Sequence, residues 1–215
     1  MYVAFPFSKR RFQMHPGVIT MPAKPVSKAE RIADEIVFLI EHNGAEGHEG
    51  SPVSLHSHLV QCAMLAMEHL SDLPVILGAL LHDVGCLVNG EHPAEATGRI
   101  EGKNKAERGA FYLRSNGFTD RVCALVETQA TARRYLATTD TNYRAMLLPA
   151  SLEAVHEKGG RMTETEVAAF EQHPYFTDII KIARWDVEAK NKQAVLVPLS
   201  FFRRLIWDHL SLRMQ

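Results

Sequence analysis

Three cysteines in 215 residues, Cys62, Cys86 and Cys123, are too few and odd in number to staple a disulfide scaffold. Each lies in an apolar stretch, where a thiol usually serves as an inert core residue, and this usage points to a reducing compartment. Long hydrophobic runs are also missing. The longest apolar stretch, 74–88, is interrupted by His82 and Asp83, short of the roughly 18 or more residues of a membrane span. Neither sign of charge dominates: 24 Lys and Arg face 25 Asp and Glu, giving a formal net charge of −1. That balance leaves no global footprint for nucleic acid or anionic lipid. The charged-then-apolar order of a secretory leader is absent, because Met1 to Phe7 precede Lys9, Arg10 and Arg11. The expected location is the cytoplasm. Organellar targeting is the alternative, since residues 1–29 carry five Lys and Arg and no acid.

A composition that is 46% hydrophobic and 23% charged supports one large core without staples. Prolines 6, 16, 22 and 25 mark residues 1–27 as an N-terminal arm; residues 28–215 form the folded body. Ser27 and Glu30 have capping-box spacing, and Ile32, Ile36, Phe38 and Leu39 form the stripe of the first helix. Further helices are expected from Leu55 to Leu70, from Pro74 to about Leu87, to Ser115, and from Asp120 through about Leu136. Two shorter ones lie near Tyr143–Leu147 and Ser151–His156. Thr163 and Glu166 cap another to about Gln172, Pro174 opens the next through Asp186, and Pro198 begins the last. The only β-branched run is 194–197, so the class is all-α, with about nine helices. The helix ending in His82-Asp83 is the most apolar and is expected at the centre.

Four polar residues interrupt these apolar stripes. His58 shares a face with Leu55, Leu59, Cys62 and Leu65; Asp186 shares one with Ile179, Ile182 and Ala183; His82 and Asp83 close the most apolar helix, just before Gly85. A buried carboxylate is costly unless paired or bound to a metal, and two directed at one interior repel each other. A divalent cation resolves the conflict. Two imidazoles and two carboxylates suit iron, manganese, cobalt or zinc. Neighbouring helical residues project about 100° apart, so His82 and Asp83 can share an ion only where their helix ends.

These residues are the signature of the HD-domain superfamily, which the sequence resembles, and the closer likeness is to its phosphonate-oxidising oxygenases. The stretches HLVQCAMLA, ALLHDVG, GAFYLRSNGF, ARRYL, GGRM and KIARWD carry it, from about Leu55 to Lys190. The resemblance implies an HD-domain helical bundle around a metal site and ligands for one iron: His58, His82, Asp83 and Asp186. Where the relatives place the histidines of a second iron, this sequence has Lys105, or Asn104 with a one-residue shift, and Gln129. A Lys ammonium has no lone pair to give, and an amide oxygen is a poor iron ligand. Lys105 and Gln129 are therefore expected in the catalytic pocket without a second ion. The gating loop before His58 reads GHEGSP and lacks the relatives' tyrosine; His48, Glu49, His56 and His92 read as loop residues.

Arg133, Ser151 and Lys190 fall where the resembling oxygenases bind the phosphonate group, and Arg184 is displaced by one residue from a further matching position. Guanidinium and ammonium groups there imply a small anionic substrate: phosphonate, phosphate or carboxylate. Four activities are consistent with this pattern: oxidative cleavage or oxidation at one iron-type ion, one-metal phosphohydrolysis, non-redox isomerisation or elimination, and metal-stabilised binding. Trp185 reads as core, and Arg203 and Arg204 as solvent-facing.

Overall fold

The computed structural model describes residues 26–46, 51–88 and 104–213, so the expected arm lies almost wholly outside it, as do His48, Glu49 and His92. Among the described residues there are twelve helices and no sheet. The first is α1 (Lys28–His42), where the Ser27 hydroxyl accepts from Glu30 N and the Glu30 carboxylate accepts from Ser27 N. There follow α2 (Leu55–Glu68), α3 (Leu73–Leu81), the short α4 (Val84–Leu87), α5 (Lys105–Ser115) and α6 (Asp120–Glu127). The remainder are α7 (Gln129–Thr139), α8 (Thr141–Met146), α9 (Pro149–Glu157), α10 (Glu164–Glu171), α11 (Phe176–Glu188) and α12 (Leu199–Ser211). The 194–197 run is an irregular connection, not a strand.

The core has two lobes that meet on α3. One gathers Ile32, Ile36 and Ile40 of α1, Leu59 of α2, Leu113 of α5 and Phe202, Ile206 and Leu210 of α12, with Leu77, Leu80 and Leu81 of α3. The other gathers Leu136, Tyr143, Ile179, Ile182 and Trp185 with Val75 and Ala79 of α3. A helix buried on both sides must be apolar all round, which is why α3 is so hydrophobic. Arg121 of α6 locks this arrangement, donating at 2.6 Å to both Asp72, the N-cap of α3, and Asp178 of α11.

Three expectations are corrected. The helix expected from Asp120 to Leu136 is two, divided at Thr128, whose hydroxyl donates to the Ala124 carbonyl at 2.6 Å and whose backbone leaves helical values. Such back-bonding bends helices. The helix expected from Pro74 to Leu87 likewise breaks, with Asp83 at φ −111° and ψ 19° between α3 and α4. Phe38 is 55% exposed and stacks on His42 one turn later rather than entering the core. Trp185 is buried, whereas Arg203 and Arg204 pair at the surface with Asp34 and Asp208.

Candidate metal centre

His58 enters from α2, and its Nδ1 donates to the Ala189 carbonyl at 3.0 Å. His82 follows α3, and its Nδ1 donates to the Ala79 carbonyl at 2.8 Å. Because a carbonyl can only accept, both Nδ1 atoms carry protons, and each neutral ring presents a lone pair at Nε2. These two Nε2 atoms face each other at 3.3 Å. Asp186 Oδ1 lies 3.1 Å from the first and 3.7 Å from the second, and Asp83 Oδ2 lies 3.7 Å from His82 Nε2. The break between α3 and α4 lets the adjacent His82 and Asp83 turn toward one point. Converging nitrogen lone pairs and carboxylate oxygens in a buried site fit a divalent cation of the iron, manganese, cobalt or zinc type.

Without a bound cation the same group would be held together by protons. Burial works against charge on either imidazole. Around His58, Cys62 and Asp186 override it and push the ring up to about 10; around His82, Asp83 and Asp186 push it up to about 9. Burial also opposes charge on Asp186, yet Arg133, His58 and His82 hold its carboxyl well below the usual range. The two ways of holding the site differ in pH dependence. In chelator-treated protein, both histidines lie above their ordinary 6.5, so the stability they contribute is full below pH 6.5 and lost as pH rises through 9 to 10. Asp186 contributes above its ordinary 3.8 and loses that contribution as pH falls toward its lower folded value. Metal-loaded protein should behave oppositely near neutrality, because ligation releases imidazole protons and tightens with rising pH. Thermal melts at a series of pH values with and without chelator check this; parallel profiles would contradict it.

The carboxylate of Asp186 is divided between partners, since its Oδ2 accepts from Arg133 Nη2 at 2.9 Å. A small cavity beside it is walled by His58, Asp83, Asp186, Arg133, Ser151 and Lys190. Six of the ten site residues expected from sequence therefore line it, and a seventh, His82, lies next to it with its Nε2 3.7 Å from Asp186 Oδ1. Lys105 and Gln129 line a larger adjoining cleft, which Asp83 and Arg133 also border. Asn104, the alternative to Lys105, lines the same cleft and caps α5. Arg184 is not brought in: its guanidinium pairs with Asp140 at 2.9 Å on the outer side of α11. Two positions before Asp186 on a helix is nearly the opposite face.

Several participants carry no strong sequence signal. Gln61 is buried; its amide donates to Ser57 Oγ and the Asn191 carbonyl and accepts from Asn191 N at 2.9 Å. It fixes the turn that offers Ala189 to His58 and carries Lys190. A polar residue three after His58 on an otherwise apolar helix was its one legible trace. Cys62, read as an inert core thiol, is fully buried with its sulfur 4.0 Å from His58 Nε2, and the ligand atoms of His58, Cys62 and His82 lie within 4.8 Å of one another. His56 is partly buried, and burial lowers its pKa. No helix among the described residues is long and apolar enough to cross a membrane.

The HD domain family model matches residues 55–164, slightly more than half of the chain, and includes His58, His82 and Asp83 but stops short of Asp186. A [1-hydroxy-2-(trimethylamino)ethyl]phosphonate dioxygenase (glycine-betaine-forming) of Leisingera caerulea is 32% identical over 171 residues, 78% of this chain and 86% of that protein. A hydroxymethylphosphonate dioxygenase of Gimesia maris is 31% identical over 154 residues, 72% and 76% of the two chains. An uncharacterized protein, L432, of Acanthamoeba polyphaga mimivirus is 28% identical over 176 residues, 82% and 80%. With its histidines and aspartates drawn to one buried point and the family match spanning all of them but Asp186, the chain belongs to the HD-domain family and is a relative of proteins named as phosphonate dioxygenases.

Proposed function

We propose that this chain is a metal-dependent enzyme of oxygenase type, acting on a small anionic molecule at one divalent ion held by His58, His82, Asp83 and Asp186. The observation that carries the reading is the pair of Nε2 lone pairs facing each other at 3.3 Å beside the Asp186 carboxylate. Iron is favoured over manganese, cobalt or zinc, by analogy with the dioxygenase names of the relatives. When bound, the ion supplies a Lewis-acid centre and, as iron, the capacity for oxygen chemistry. The protein supplies the rest. Arg133 keeps Asp186 ionised and oriented through one N–H and also lines the cavity shared with Ser151 and Lys190. Those three groups hold the anionic end of the substrate and so fix which carbon or oxygen meets the ion. Burial of His58 and His82 excludes water from the far side of the centre.

A hydroxylated phosphonate is the substrate class this reading favours. Iron-loaded protein prepared without air should consume oxygen when given small hydroxylated phosphonates, and should lose that uptake in His82→Ala. The second reading is a one-metal phosphohydrolase, favoured by a cleft beside Asp83 that presents Lys105 and Gln129 instead of further metal donors. Phosphate release from phosphate esters without oxygen uptake would select it and overturn the oxidative one.

A further inference from the structure

α11 ends at Glu188 with no glycine after it to close the helix, and side chains of α2 hold its exit instead. Ala189 turns out of the helix at φ −73° and ψ 57°; its N–H still donates to the Trp185 carbonyl at 2.8 Å, while its own carbonyl accepts from His58 Nδ1 at 3.0 Å. Two residues on, Gln61 takes both backbone groups of Asn191. Its Oε1 accepts from Asn191 N at 2.9 Å and its Nε2 donates to the Asn191 carbonyl at 3.1 Å. The same Nε2 donates to Ser57 Oγ at 2.9 Å, one turn back on α2, so both N–H groups of this buried amide are spent.

His58 and Gln61 are three apart on one face of α2, and they grip the chain on either side of Lys190. Lys190 lines the cavity at the candidate metal centre together with His58, Asp186 and Arg133. α2 therefore sets where the stem of Lys190 starts, and a flexible four-carbon stem reaches only what its Cα position allows. The same segment serves His58. The Ala189 carbonyl keeps the ring proton on Nδ1 and so turns the Nε2 lone pair to the centre.

We infer that Gln61 is a positioning residue that serves both halves of the site at once. By clamping Asn191 it keeps the Ala189 carbonyl on His58, which supports the metal ligand. By the same clamp it keeps Lys190 at the cavity, which supports the anionic end of the substrate; this half rests on the proposed function. Gln61 acts on both through residues 189–191.

A double-mutant cycle separates this from a role in folding alone. Manganese affinity, and the methylphosphonate affinity of manganese-saturated protein, are measured by calorimetric titration in wild type, Gln61→Met, Lys190→Met and the double variant. Lys190→Met should weaken methylphosphonate about tenfold, the scale of one charge-assisted contact, and should not weaken manganese. Gln61→Met should weaken manganese about tenfold, the lower end of what losing an outer hydrogen bond of a ligating histidine costs, and methylphosphonate about fivefold. In the double variant the manganese loss should persist, whereas Gln61→Met should cost methylphosphonate nothing beyond Lys190→Met, because it acts there through Lys190. Where Gln61→Met does not fold, Gln61→Asn, one methylene too short to span to Asn191, takes its place in the cycle. Additive losses of methylphosphonate affinity, or manganese affinity unchanged by Gln61→Met, overturn the positioning role alone. A wild-type protein that holds manganese yet does not bind methylphosphonate overturns the anionic-substrate reading, and the Lys190 half of this inference with it.

Discussion

Asp186→Ala should release the ion and lower stability by about 3–5 kcal/mol, the scale seen when one partner of a buried charge pair is removed. The residue is only 8% exposed, yet it answers to three elements: Oδ1 faces His58 and His82, and Oδ2 accepts from Arg133. Its loss leaves a buried guanidinium without the carboxylate it donates to and removes an oxygen from a donor set whose members come from α2, the α3–α4 break and α11. In a chain of this size the melting temperature should fall by roughly 10 °C. Asp186→Asn separates the two roles, because an amide oxygen can still accept from Arg133 but binds a metal poorly. It should lose metal with a smaller loss of stability. Metal analysis and thermal melts of both variants check this, and an Asp186→Ala protein that keeps its metal would sink the assignment.

Gly85→Ala should be nearly as damaging, although it adds one methyl group. The new Cβ would lie 1.8 Å from the Lys105 carbonyl oxygen, 2.8 Å from its carbon and 2.9 Å from Gly109 N. All three are backbone atoms, so no side chain can swing aside, and the whole first turn of α5 must retreat. Overpacking of this kind costs about 3 kcal/mol or more. The retreat also draws Lys105 away from the His-Asp turn and breaks the Arg108 bonds to the Gly85 carbonyl. Gly109→Ala provides a graded control, since its Cβ would meet Gly85 N and the Val84 and Val126 side chains at 3.0–3.1 Å. Denaturant unfolding should rank wild type above Gly109→Ala and Gly109→Ala above Gly85→Ala. The reverse order would mean that the α4–α5 seat is not what fixes this corner.

Local signals made much of the fold legible. Both capping boxes form, at Ser27 with Glu30 and at Thr163 with Glu166, because each is a contact between residues three apart. The central place of α3 followed from its composition, since a helix without a polar face has no side to turn to water. What sequence hid depended on chain segments far apart or on choices too subtle for periodicity. Nothing in the run from Asp120 to Leu136 is Gly or Pro, so the division at Thr128 rests on one hydroxyl choosing the Ala124 carbonyl. Phe38 fits a hydrophobic stripe yet lies beside the boundary of the α1 face that α12 covers.

The site shows the same division. His58, His82, Asp83 and Asp186 stood out as polar residues on apolar faces, and the structure gathers them around one point. The roles of Arg133 and Arg184 could not be told apart in sequence, both being cations near conspicuous residues. Only the folded chain sets Arg133, 53 positions before Asp186, on its carboxylate while turning Arg184 to Asp140. Gln61 holds Asn191 across 130 positions, a pairing whose distant partner nothing local to Gln61 announces.

The most direct test of the central claim is the metal stoichiometry of the full chain, purified without air, reconstituted with ferrous iron and freed of excess. One ion per chain is expected, falling to none in His82→Ala and unchanged in Lys105→Met. A chain that binds two ions, or one that holds none after reconstitution, would contradict the account.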